Sequence, residues 1–484
     1  MKLNNPELLR SQCLINGEWC DALSGKREAV INPATGVELA SIPLVSEEET
    51  QQAIAAAQRA QNDWKQLTAK QRSALLLAWA DKVLAAQEDL AQLMTAEQGK
   101  SLAEARGEVA YAASFITWFA EEAKRVDGAV LQAPQASQRL VVVKQPIGVC
   151  AAITPWNFPA AMITRKVAPA LAAGCAIIVK PAEQTPLTAL ALAKLAQDAG
   201  IPAGVLQVVT GEAAQVGKVL CDSPVVRKLS FTGSTEVGRI LMAQCAPSIK
   251  KLSLELGGNA PVIVFDDANL DAAVAGIMAS KFRNSGQTCV CANRIYVQDG
   301  IYERLAEKLV AAVEQLKVGD GSQEGTTQGP LIDSDAVAKV QSHIDDALIK
   351  GAQIATGGQP HALGGTFFQP TVVTGVTQKM RFAKEETFGP VAPLFRFHDE
   401  AEAIAMANDT EFGLAAYLFT QNAARQWRVP EALEYGMVGI NTGLISNEVA
   451  PFGGVKQSGL GREGSRYGIE EYLELKYLCI DVSR

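Results

Sequence analysis

An alternation between short apolar segments and longer amphipathic segments begins near residue 148 and constrains the fold more than any other feature. Between residues 149 and 246, four runs rich in β-branched residues alternate with four segments rich in Ala and Leu at helical spacing. Near-continuous apolar strands that are joined by helical crossovers are typical of parallel sheets. The pattern therefore predicts a doubly wound parallel sheet with helices on both faces.

A second alternating series starts with PVIVFDD at residues 261–267 and predicts a second α/β lobe. Residues 47–124, before the first lobe, are almost entirely amphipathic helix, and residues 137–146 read as an isolated strand arm. The tail at residues 470–482 alternates apolar and polar residues, and a lone strand at a chain end is an edge that needs a partner. We therefore expect the arm and the tail to form a contact in a homo-oligomer, a dimer or a tetramer.

Charge and composition narrow the classes of partner. The 484 residues include 44 basic and 52 acidic side chains, a formal net charge of -8, without a basic cluster that would follow a phosphate backbone. The N-terminal residues do not follow the basic and then apolar pattern of a secretory signal, and no apolar run reaches about 18 residues. We therefore expect a multi-domain cytoplasmic protein that binds neither nucleic acid nor a membrane.

Two cysteines one residue apart, Cys289 and Cys291, stand in the segment NSGQTCVCANR at residues 284–294. A structural zinc site needs four ligands, and three histidines without ligand spacing argue against any metal. A cysteine–histidine pair lacks a recognisable partner motif, and a disulfide between residues i and i+2 closes a small, strained ring. A nucleophile, a reversible redox pair and a buried neighbour without a role remain open at this point.

Glycine-rich segments offer three candidate phosphate loops. GLGREG, at residues 459–464, is followed by only 20 residues and reads as a turn before the last strand. GEAAQVGK, at residues 211–218, has one residue too many between its glycines for a P-loop. FTGSTEVG, at residues 231–238, joins a predicted strand to a predicted helix, whose N-terminus would attract a pyrophosphate. An ordinary strand-to-helix turn explains that segment equally well.

Six segments, in order and at similar spacing, resemble the aldehyde dehydrogenase superfamily, and the resemblance runs essentially from end to end. They are ITPWNFP (153–159), FTGSTEVG (231–238), LELGGNAP (254–261), GQTCVCANR (286–294), KEETFGPV (384–391) and NEVAPFGGVKQSG (447–459). The resemblance implies an NAD(P)-dependent aldehyde dehydrogenase of the α/β class, with two doubly wound parallel-sheet lobes and a small β oligomerisation arm.

The resemblance also divides the chain into domains. Residues 1–125 and 146–256 are predicted to form a dinucleotide-binding domain, and residues 257–458 a catalytic domain. Residues 126–145 and 459–484 are predicted to form the oligomerisation arm and the tail.

Catalytic roles follow from the resemblance, which implies Cys289 as the nucleophile, Glu255 as the general base and Asn157 as an oxyanion donor. The chemistry agrees, because a thiolate adds to an aldehyde, hydride leaves the adduct, and water activated by a carboxylate hydrolyses the thioester. A preorganised oxyanion donor contributes roughly 3–4 kcal/mol. Relatives that pass the acyl group to coenzyme A generally lack this glutamate, so Glu255 favours release of the free acid.

The segment KPAEQTP, at residues 180–186, resembles the adenosine-ribose loop of the family, with Lys180 and Glu183 at the positions that meet the ribose. A carboxylate there would accept hydrogen bonds from the 2′- and 3′-hydroxyls and repel a 2′-phosphate. We therefore expect NAD as the preferred cofactor and NADP as the alternative. The other positions that match cofactor contacts of the family are Trp156, Gly233, Ser234, Leu256, Glu386 and Phe388.

Residues 162–175, 281–294 and 441–454 resemble the succinate-semialdehyde dehydrogenase branch, in which two arginines and a serine hold a distal carboxylate. The matching residues are Arg165, Arg283 and Ser446. Because paired guanidinium groups suit the carboxylate of a short ω-oxo acid, we expect oxidation of succinate semialdehyde to succinate. Glutarate semialdehyde remains an alternative, since one methylene group discriminates by only ~1–3 kcal/mol.

Two further hypotheses concern the cysteine pair and the rival class of function. Cys291 also recurs in the branch, and under oxidation it would trap Cys289 in a strained, reducible disulfide. The rival is a non-catalytic cofactor-binding protein on the same scaffold. The presence of Cys289, Glu255 and Asn157 argues against that rival, because a scaffold protein needs none of them.

Overall fold

The first 125 residues form mainly helices, as their amphipathic pattern predicts. The computed structural model describes residues 1–483 and begins with the strands β1 (Cys13–Ile15), β2 (Glu18–Cys20), β3 (Arg27–Ile31) and β4 (Glu38–Pro43). The helices α1 (Glu47–Trp64), α2 (Ala69–Ala85), α3 (Gln87–Gln98) and α4 (Leu102–Glu122) follow. Capping boxes at Thr68 and Ser101 satisfy free N–H groups at the starts of α2 and α4, which explains where these helices begin.

The first alternating series forms strands and helices in the predicted order. It is preceded by β5 (Ala129–Leu131) and β6 (Gln138–Pro146) and comprises β7 (Val149–Ile153), α5 (Ala161–Ala173), β8 (Ile177–Lys180), α6 (Pro186–Asp198), β9 (Leu206–Val208), α7 (Ala213–Asp222), β10 (Val226–Thr232), α8 (Thr235–Cys245) and β11 (Lys251–Glu255). β7 and β8 are buried along their whole length, as parallel strands covered on both faces should be.

The second series also follows the predicted alternation. It comprises β12 (Ala260–Val264), α9 (Leu270–Lys281), β13 (Ala292–Gln298), α10 (Tyr302–Val313), α11 (Ser334–Ile349), β14 (Gln353–Thr356), β15 (Thr371–Val376), β16 (Val391–Phe397), α12 (Glu400–Asn408), β17 (Ala415–Phe419), α13 (Ala423–Ala432) and β18 (Met437–Ile440). The last elements are β19 (Gly459–Leu460), α14 (Ser465–Glu470) and β20 (Leu473–Asp481). None of the helices between residues 1 and 483 is long and apolar enough to cross a membrane.

Two sheets with mostly parallel strands confirm the predicted α/β class. The first has the strand order β19-β11-β10-β7-β8-β9-β1-β2, with β7 to β11 parallel to one another. The second has the order β14-β15-β16-β13-β12-β17-β18, and only its β14–β15 pair is antiparallel. β19 pairs with β11 in the first sheet, whereas the sequence predicts that residues 459–484 belong to the tail. The division into domains stays a prediction.

The arm and the tail pair with each other within one chain. β20 lies antiparallel to β6 from Leu473 to Asp481, and β5 pairs with β6 from its other side. Several apolar side chains of β20 remain exposed, including Leu475 at 68% and Tyr477 at 57%. This small sheet therefore presents an apolar face to solvent.

The carboxyl ends of the first sheet's strands place the motif residues close together. β7 leads into Trp156 and Asn157, β10 leads into Gly233 and Ser234, and β11 ends at Glu255. Only residues 256–259 separate β11 from β12 of the second sheet. In α/β folds, ligands bind at this edge of the sheet, so the candidate site is expected there.

Candidate active site

A cavity of about 290 Å³ lies at the carboxyl edge of the first sheet. The sequence-predicted residues that line it are Trp156, Asn157, Gly233, Ser234, Leu256, Cys289, Glu386 and Phe388. Met162, Asp333 and Lys339 also line it, and the sequence did not single them out. The structure therefore brings the predicted nucleophile together with most of the predicted cofactor positions.

Two glycines fix the loop that carries Cys289 between α9 and β13. Gly286 has a φ of 75°, and a Cβ atom there would lie 2.2 Å from the carbonyl oxygen of Gly389. A Cβ atom at Gly258 would lie 2.5 Å from the carbonyl oxygen of Cys289 itself. Because only glycine permits such approaches, these two positions hold the thiol loop against its neighbours.

The thiol of Cys289 is half-buried, and its surroundings disfavour the thiolate. Burial raises the pKa of Cys289 to about 12, and Glu386 and Glu255 add to that effect. Arg165 and Arg283 act in the opposite direction and lower the pKa. The thiol is therefore protonated at neutral pH, and a base must accept its proton before it attacks.

Glu255 ends β11 and is 3% exposed. Neither of its side-chain oxygens has a hydrogen-bond partner among residues 1–483. Burial raises the pKa of Glu255 well above its usual range and Glu463 adds to this, whereas Arg165 lowers it. The carboxyl group does not itself line the 290 Å³ cavity, but the next residue, Leu256, does. A carboxyl group with a raised pKa suits general-base chemistry near neutral pH.

Asn157 contacts the thiol loop through its side chain, and its backbone is linked to α4 through Lys100, which precedes that helix. Its Nδ2 donates to the carbonyl oxygen of Gln287 at 3.0 Å, two residues before the thiol. Its own carbonyl oxygen accepts from Lys100 Nζ at 2.8 Å, and Lys100 forms a buried ion pair with Glu108. These contacts place an amide donor in the wall of the cavity that holds the thiol.

An aromatic pair and a buried carboxyl group stand on the cofactor side of the cavity. The rings of Trp156 and Phe388 meet edge to face with centroids 5.6 Å apart. Glu386 Oε1 accepts from the backbone N–H of Gly258 at 3.2 Å. Burial raises the pKa of Glu386 to about 7, and Lys339 lowers it.

These groups fit a nicotinamide dinucleotide. Ser234 caps α8 by accepting from the backbone N–H of Val237 at 3.3 Å, so the positive end of α8 faces the cavity that Ser234 lines. A helix N-terminus attracts phosphate, and the Glu386 carboxyl group offers acceptors to ribose hydroxyls. The polar groups around the cavity therefore match the expected class of cofactor.

Lys180 and Glu183 stand apart from this cavity. Lys180 ends β8, and its Nζ donates to Glu183 Oε2 at 2.7 Å. The Lys180 side chain is 2% exposed and that of Glu183 is 35% exposed. The carboxylate at the predicted ribose position is thus already paired with a cation.

A second cavity, of about 260 Å³, contains two of the three residues predicted to hold a substrate carboxylate, Arg283 and Ser446. The guanidinium of Arg283 lies 4.8 Å from the centre of the Phe158 ring. No carboxylate within the described residues pairs with it. Phe158 directly follows Asn157, so this cavity is next to the one that holds the thiol.

Arg165, the third predicted residue, is placed elsewhere. It is 2% exposed, and its Nε lies 2.9 Å from Glu463 Oε2. The neighbouring Lys166 donates to the same carboxylate. The structure therefore couples Arg165 to Glu463, which the sequence did not single out. The only signal for Glu463 was an acidic side chain inside the glycine-rich turn at residues 459–464.

Cys291 is 5% exposed, and its Sγ donates to the carbonyl oxygen of Lys281 at 3.4 Å. Burial raises the pKa of its thiol. The nine cysteines of the chain all carry free thiols in this structure. A redox pair of Cys289 and Cys291 stays a prediction.

Comparisons with known proteins agree with the geometry. The sequence model described as the aldehyde dehydrogenase family matches residues 19–478. A succinate-semialdehyde dehydrogenase [NADP(+)] of Escherichia coli strain K12 is 65% identical over 480 residues, which cover 99% of this chain and 100% of that protein. A glutarate-semialdehyde dehydrogenase of Pseudomonas putida is 64% identical over 482 residues, which cover 100% of both chains. A crystal structure of an E. coli NADP-dependent enzyme has a TM-score of 0.99 at 64% identity, covering 99% of this chain and 100% of that one.

The expectation that NAD is the preferred cofactor is wrong. The E. coli relative at 65% identity is named for NADP(+), and the similar crystal structure is of an NADP-dependent enzyme. The structure supplies a physical reason, because Glu183 is paired with Lys180 at 2.7 Å and is not the free negative charge that the expectation assumed. A paired and partly solvated carboxylate repels a 2′-phosphate only weakly.

Proposed function

This chain belongs to the aldehyde dehydrogenase family, and from that premise we propose that it oxidises succinate semialdehyde to succinate with NADP as the hydride acceptor. The observation that carries the proposal is the guanidinium of Arg283, which has no carboxylate partner among residues 1–483 and lines the cavity next to the thiol. A cation at one end and a nucleophile at the other suit a short aldehyde that bears a carboxylate. Identity of 65% to a relative named for this reaction supports it.

The proposed chemistry uses three residues of the chain. Cys289, once its proton has left, adds to the aldehyde carbon and forms a carbon–sulfur bond. The Asn157 amide and the backbone N–H of Cys289 receive the developing oxyanion. After hydride has left, the Glu255 carboxylate takes a proton from water, and the resulting hydroxide displaces the thiolate from the thioester. The products are the free acid and the Cys289 thiolate, which becomes the thiol again when it takes up the proton that Glu255 removed from water.

The nicotinamide cofactor, when bound, supplies the hydride acceptor. The residues proposed to hold it are Trp156, Lys180, Glu183, Gly233, Ser234, Leu256, Glu386 and Phe388. We expect kcat/KM to be at least about tenfold higher with NADP than with NAD, a difference of ~1.4 kcal/mol. Reduced-nicotinamide absorbance measured with both cofactors at saturating aldehyde tests this, and equal values would contradict it.

Arg283 and Ser446 are proposed to hold the distal carboxylate, together with Arg165. Arg165 Nη2 is buried and has no hydrogen-bond partner in the described part of the chain. Arg165 and Lys166 together carry one positive charge more than Glu463 neutralises. That surplus charge favours an anionic substrate in the same region.

Glutarate semialdehyde is the second candidate substrate, because a relative 64% identical to this chain is named for it. A panel of C4 and C5 semialdehydes, each compared by kcat/KM, separates the two. A higher value for the C5 compound would assign the enzyme to the second candidate.

Two substitutions test the mechanism. Cys289→Ala should abolish turnover, whereas Glu255→Gln should slow hydrolysis by about 10²–10⁴-fold so that the acyl-enzyme accumulates. Intact-mass spectrometry of each variant with NADP and succinate semialdehyde detects the added acyl group, and Cys20→Ala is the matched control. Steady turnover in Cys289→Ala would overturn the assignment. A wild-type protein that reduces no NADP with any aldehyde would favour the non-catalytic scaffold.

The proposal also covers the oligomeric state of the enzyme and its compartment in the cell. The exposed apolar side chains on β20 support a homo-oligomer, a dimer or a tetramer, that buries the small sheet. The irregular spacing of the nine cysteines suits a reducing compartment, so we place the enzyme in the cytoplasm.

A further inference from the structure

The hydroxyl group of Tyr111 is a buried polar group that no described residue uses. Tyr111 lies on α4 and lines the 260 Å³ cavity together with Arg283 and Ser446. Its Oη is buried and makes no hydrogen bond with any residue from 1 to 483. A buried group without a partner costs about 1–3 kcal/mol. A hydroxyl in a cavity wall recovers that free energy when the cavity takes up an acceptor.

Packing fixes the position of the ring. Tyr111 and Phe115 meet edge to face with ring centroids 4.9 Å apart and planes at 69°. Phe115 in turn lies 5.6 Å from the guanidinium of Arg165. Aromatic contacts of this kind hold the tyrosine without any hydrogen bond from its hydroxyl. The place of Tyr111 in the cavity wall is therefore fixed by packing on α4.

The other charged groups of this cavity are already engaged. Lys100 is paired with Glu108, and both side chains are 1% exposed. Glu104 accepts from the backbone N–H of Asn284 at 2.7 Å. The donors that remain for a ligand are those of Arg283, Ser446 and Tyr111.

The free donors suit a carboxylate rather than a neutral group. Burial raises the pKa of Tyr111, although Arg165 and Arg283 lower it, so the phenol is neutral and donates its proton in a hydrogen bond. A carboxylate has two oxygens and accepts several hydrogen bonds at once. Hydrogen bonds to such a charged acceptor contribute about 1.5–3 kcal/mol.

We propose that Tyr111 is a specificity-determining residue whose hydroxyl donates a hydrogen bond to the distal carboxylate of the substrate, alongside the guanidinium of Arg283. This inference rests on the proposed oxidation of a short ω-oxo acid and adds a recognition group to it. A neutral aldehyde of the same length gains nothing from this hydroxyl. Tyr111 therefore contributes to the preference for the acid and not to the chemical step.

Tyr111→Phe removes one oxygen and keeps the ring contact with Phe115. We expect the KM for succinate semialdehyde to rise roughly tenfold or more, as for loss of a hydrogen bond to a charged group. The kcat for that substrate and the kinetic constants for butanal should stay within about twofold of the wild type. The inhibition constant of succinate against butanal should rise in parallel with the KM. Tyr467→Phe, at an exposed position on α14, is the matched control.

The outcomes separate this inference from the proposed function. A KM for succinate semialdehyde that is the same in Tyr111→Phe and the wild type would overturn the role of Tyr111. Equal rises in KM for the acid and for butanal would show a structural role and overturn it as well. A wild-type enzyme that prefers butanal over succinate semialdehyde would overturn the proposed function, and the inference with it.

Discussion

At the scale of single residues, burial favours the neutral forms of both the Cys289 thiol and the Glu255 carboxyl group. It raises the pKa of Cys289 to about 12 and that of Glu255 well above its usual range. The charge on Glu255 also disfavours the thiolate of Cys289, and Glu463 disfavours the charge on Glu255, whereas Arg165 favours both anions.

The raised thiol pKa leads to a prediction about reactivity. We expect the rate of Cys289 alkylation by iodoacetamide to rise about tenfold per pH unit between about pH 7 and 9, because only the thiolate reacts and its fraction grows in that proportion below the pKa. Peptide mapping by mass spectrometry gives the rate for the peptide that contains Cys289. A rate that levels off below pH 8 would contradict a raised pKa.

At the scale of elements, the start of α4 is linked to the candidate oxyanion donor. The ion pair of Lys100 and Glu108 is buried, and Lys100 Nζ also donates to the carbonyl oxygen of Asn157 at 2.8 Å. Glu108 in addition accepts from the backbone N–H of Ala160 at 2.9 Å, just before α5. One buried pair thus ties α4, α5 and the loop after β7 together.

Breaking this pair should be far more damaging than breaking a surface pair. Lys100→Met leaves the Glu108 carboxylate buried without its cation, and we expect a loss of about 3–5 kcal/mol of stability. Arg106→Met, which breaks an exposed pair between Arg106 on α4 and Glu88 on α3, should lose at most about 1 kcal/mol. Urea denaturation of the two variants provides the comparison. Similar losses of stability in the two variants would show that the buried pair contributes no more to stability than the exposed pair.

A second element, α11, positions the segment that carries Glu386. His343 on α11 is fully buried, and its Nδ1 and Nε2 lie 3.2 Å from Thr387 Oγ1 and 3.2 Å from Glu385 Oε2. The histidine therefore holds the residues on both sides of Glu386. Burial lowers the pKa of His343 to about 4, so its neutral form stabilises the folded protein.

This lowered pKa predicts a pH-dependent loss of stability. The contribution of His343 is complete above its ordinary pKa of about 6.5 and is lost as the pH falls toward 4, because the unfolded chain binds the proton first. At about pH 5 the loss amounts to roughly 2 kcal/mol. Between pH 7 and pH 5, the melting temperature of His343→Asn should fall less than that of the wild type. The melting temperature of His361→Asn should fall as much as that of the wild type. Parallel losses in all three proteins would contradict the assignment.

At the scale of the whole molecule, the two large sheets surround the candidate site and the small sheet faces outward. β11 and β12 belong to different sheets and are joined by residues 256–259 alone, so the general-base candidate stands where one sheet passes into the other. The strands β5, β6 and β20 form a sheet of their own, separate from the two large sheets, and this small sheet carries exposed apolar side chains.

If the oligomer forms through the small sheet, charged substitutions on β20 should reduce the mass of the assembly. Leu475→Asp combined with Tyr477→Asp places two carboxylates on the exposed face of β20, and we expect dissociation of the oligomer because charges are unfavourable in the core of an interface. Light scattering coupled to size exclusion measures the mass, and circular dichroism reports the fold. Ile349→Asp, at a side chain that is 86% exposed elsewhere, is the control. A wild-type protein that elutes as a monomer would refute the assembly.

The amino-acid sequence by itself determined the alternation of strands and helices, the α/β class and the family. Most of the motif residues that it singled out line one cavity, because the motifs follow strands of a parallel sheet and the carboxyl ends of such strands meet at one edge. These inferences depend on local periodicity and on short motifs, which are readable without knowing long-range contacts.

Only the tertiary structure decided which charges are free and which are neutralised. It paired Arg165 with Glu463 and Glu183 with Lys180, and it placed Arg283 and Tyr111 in the lining of one cavity. Desolvation and pairing depend on side chains that are distant in sequence and meet only after folding, so residue type alone predicts neither the pKa of a group nor its partner. For that reason the sequence overestimated the repulsion from Glu183 and did not reveal Glu463 or Tyr111.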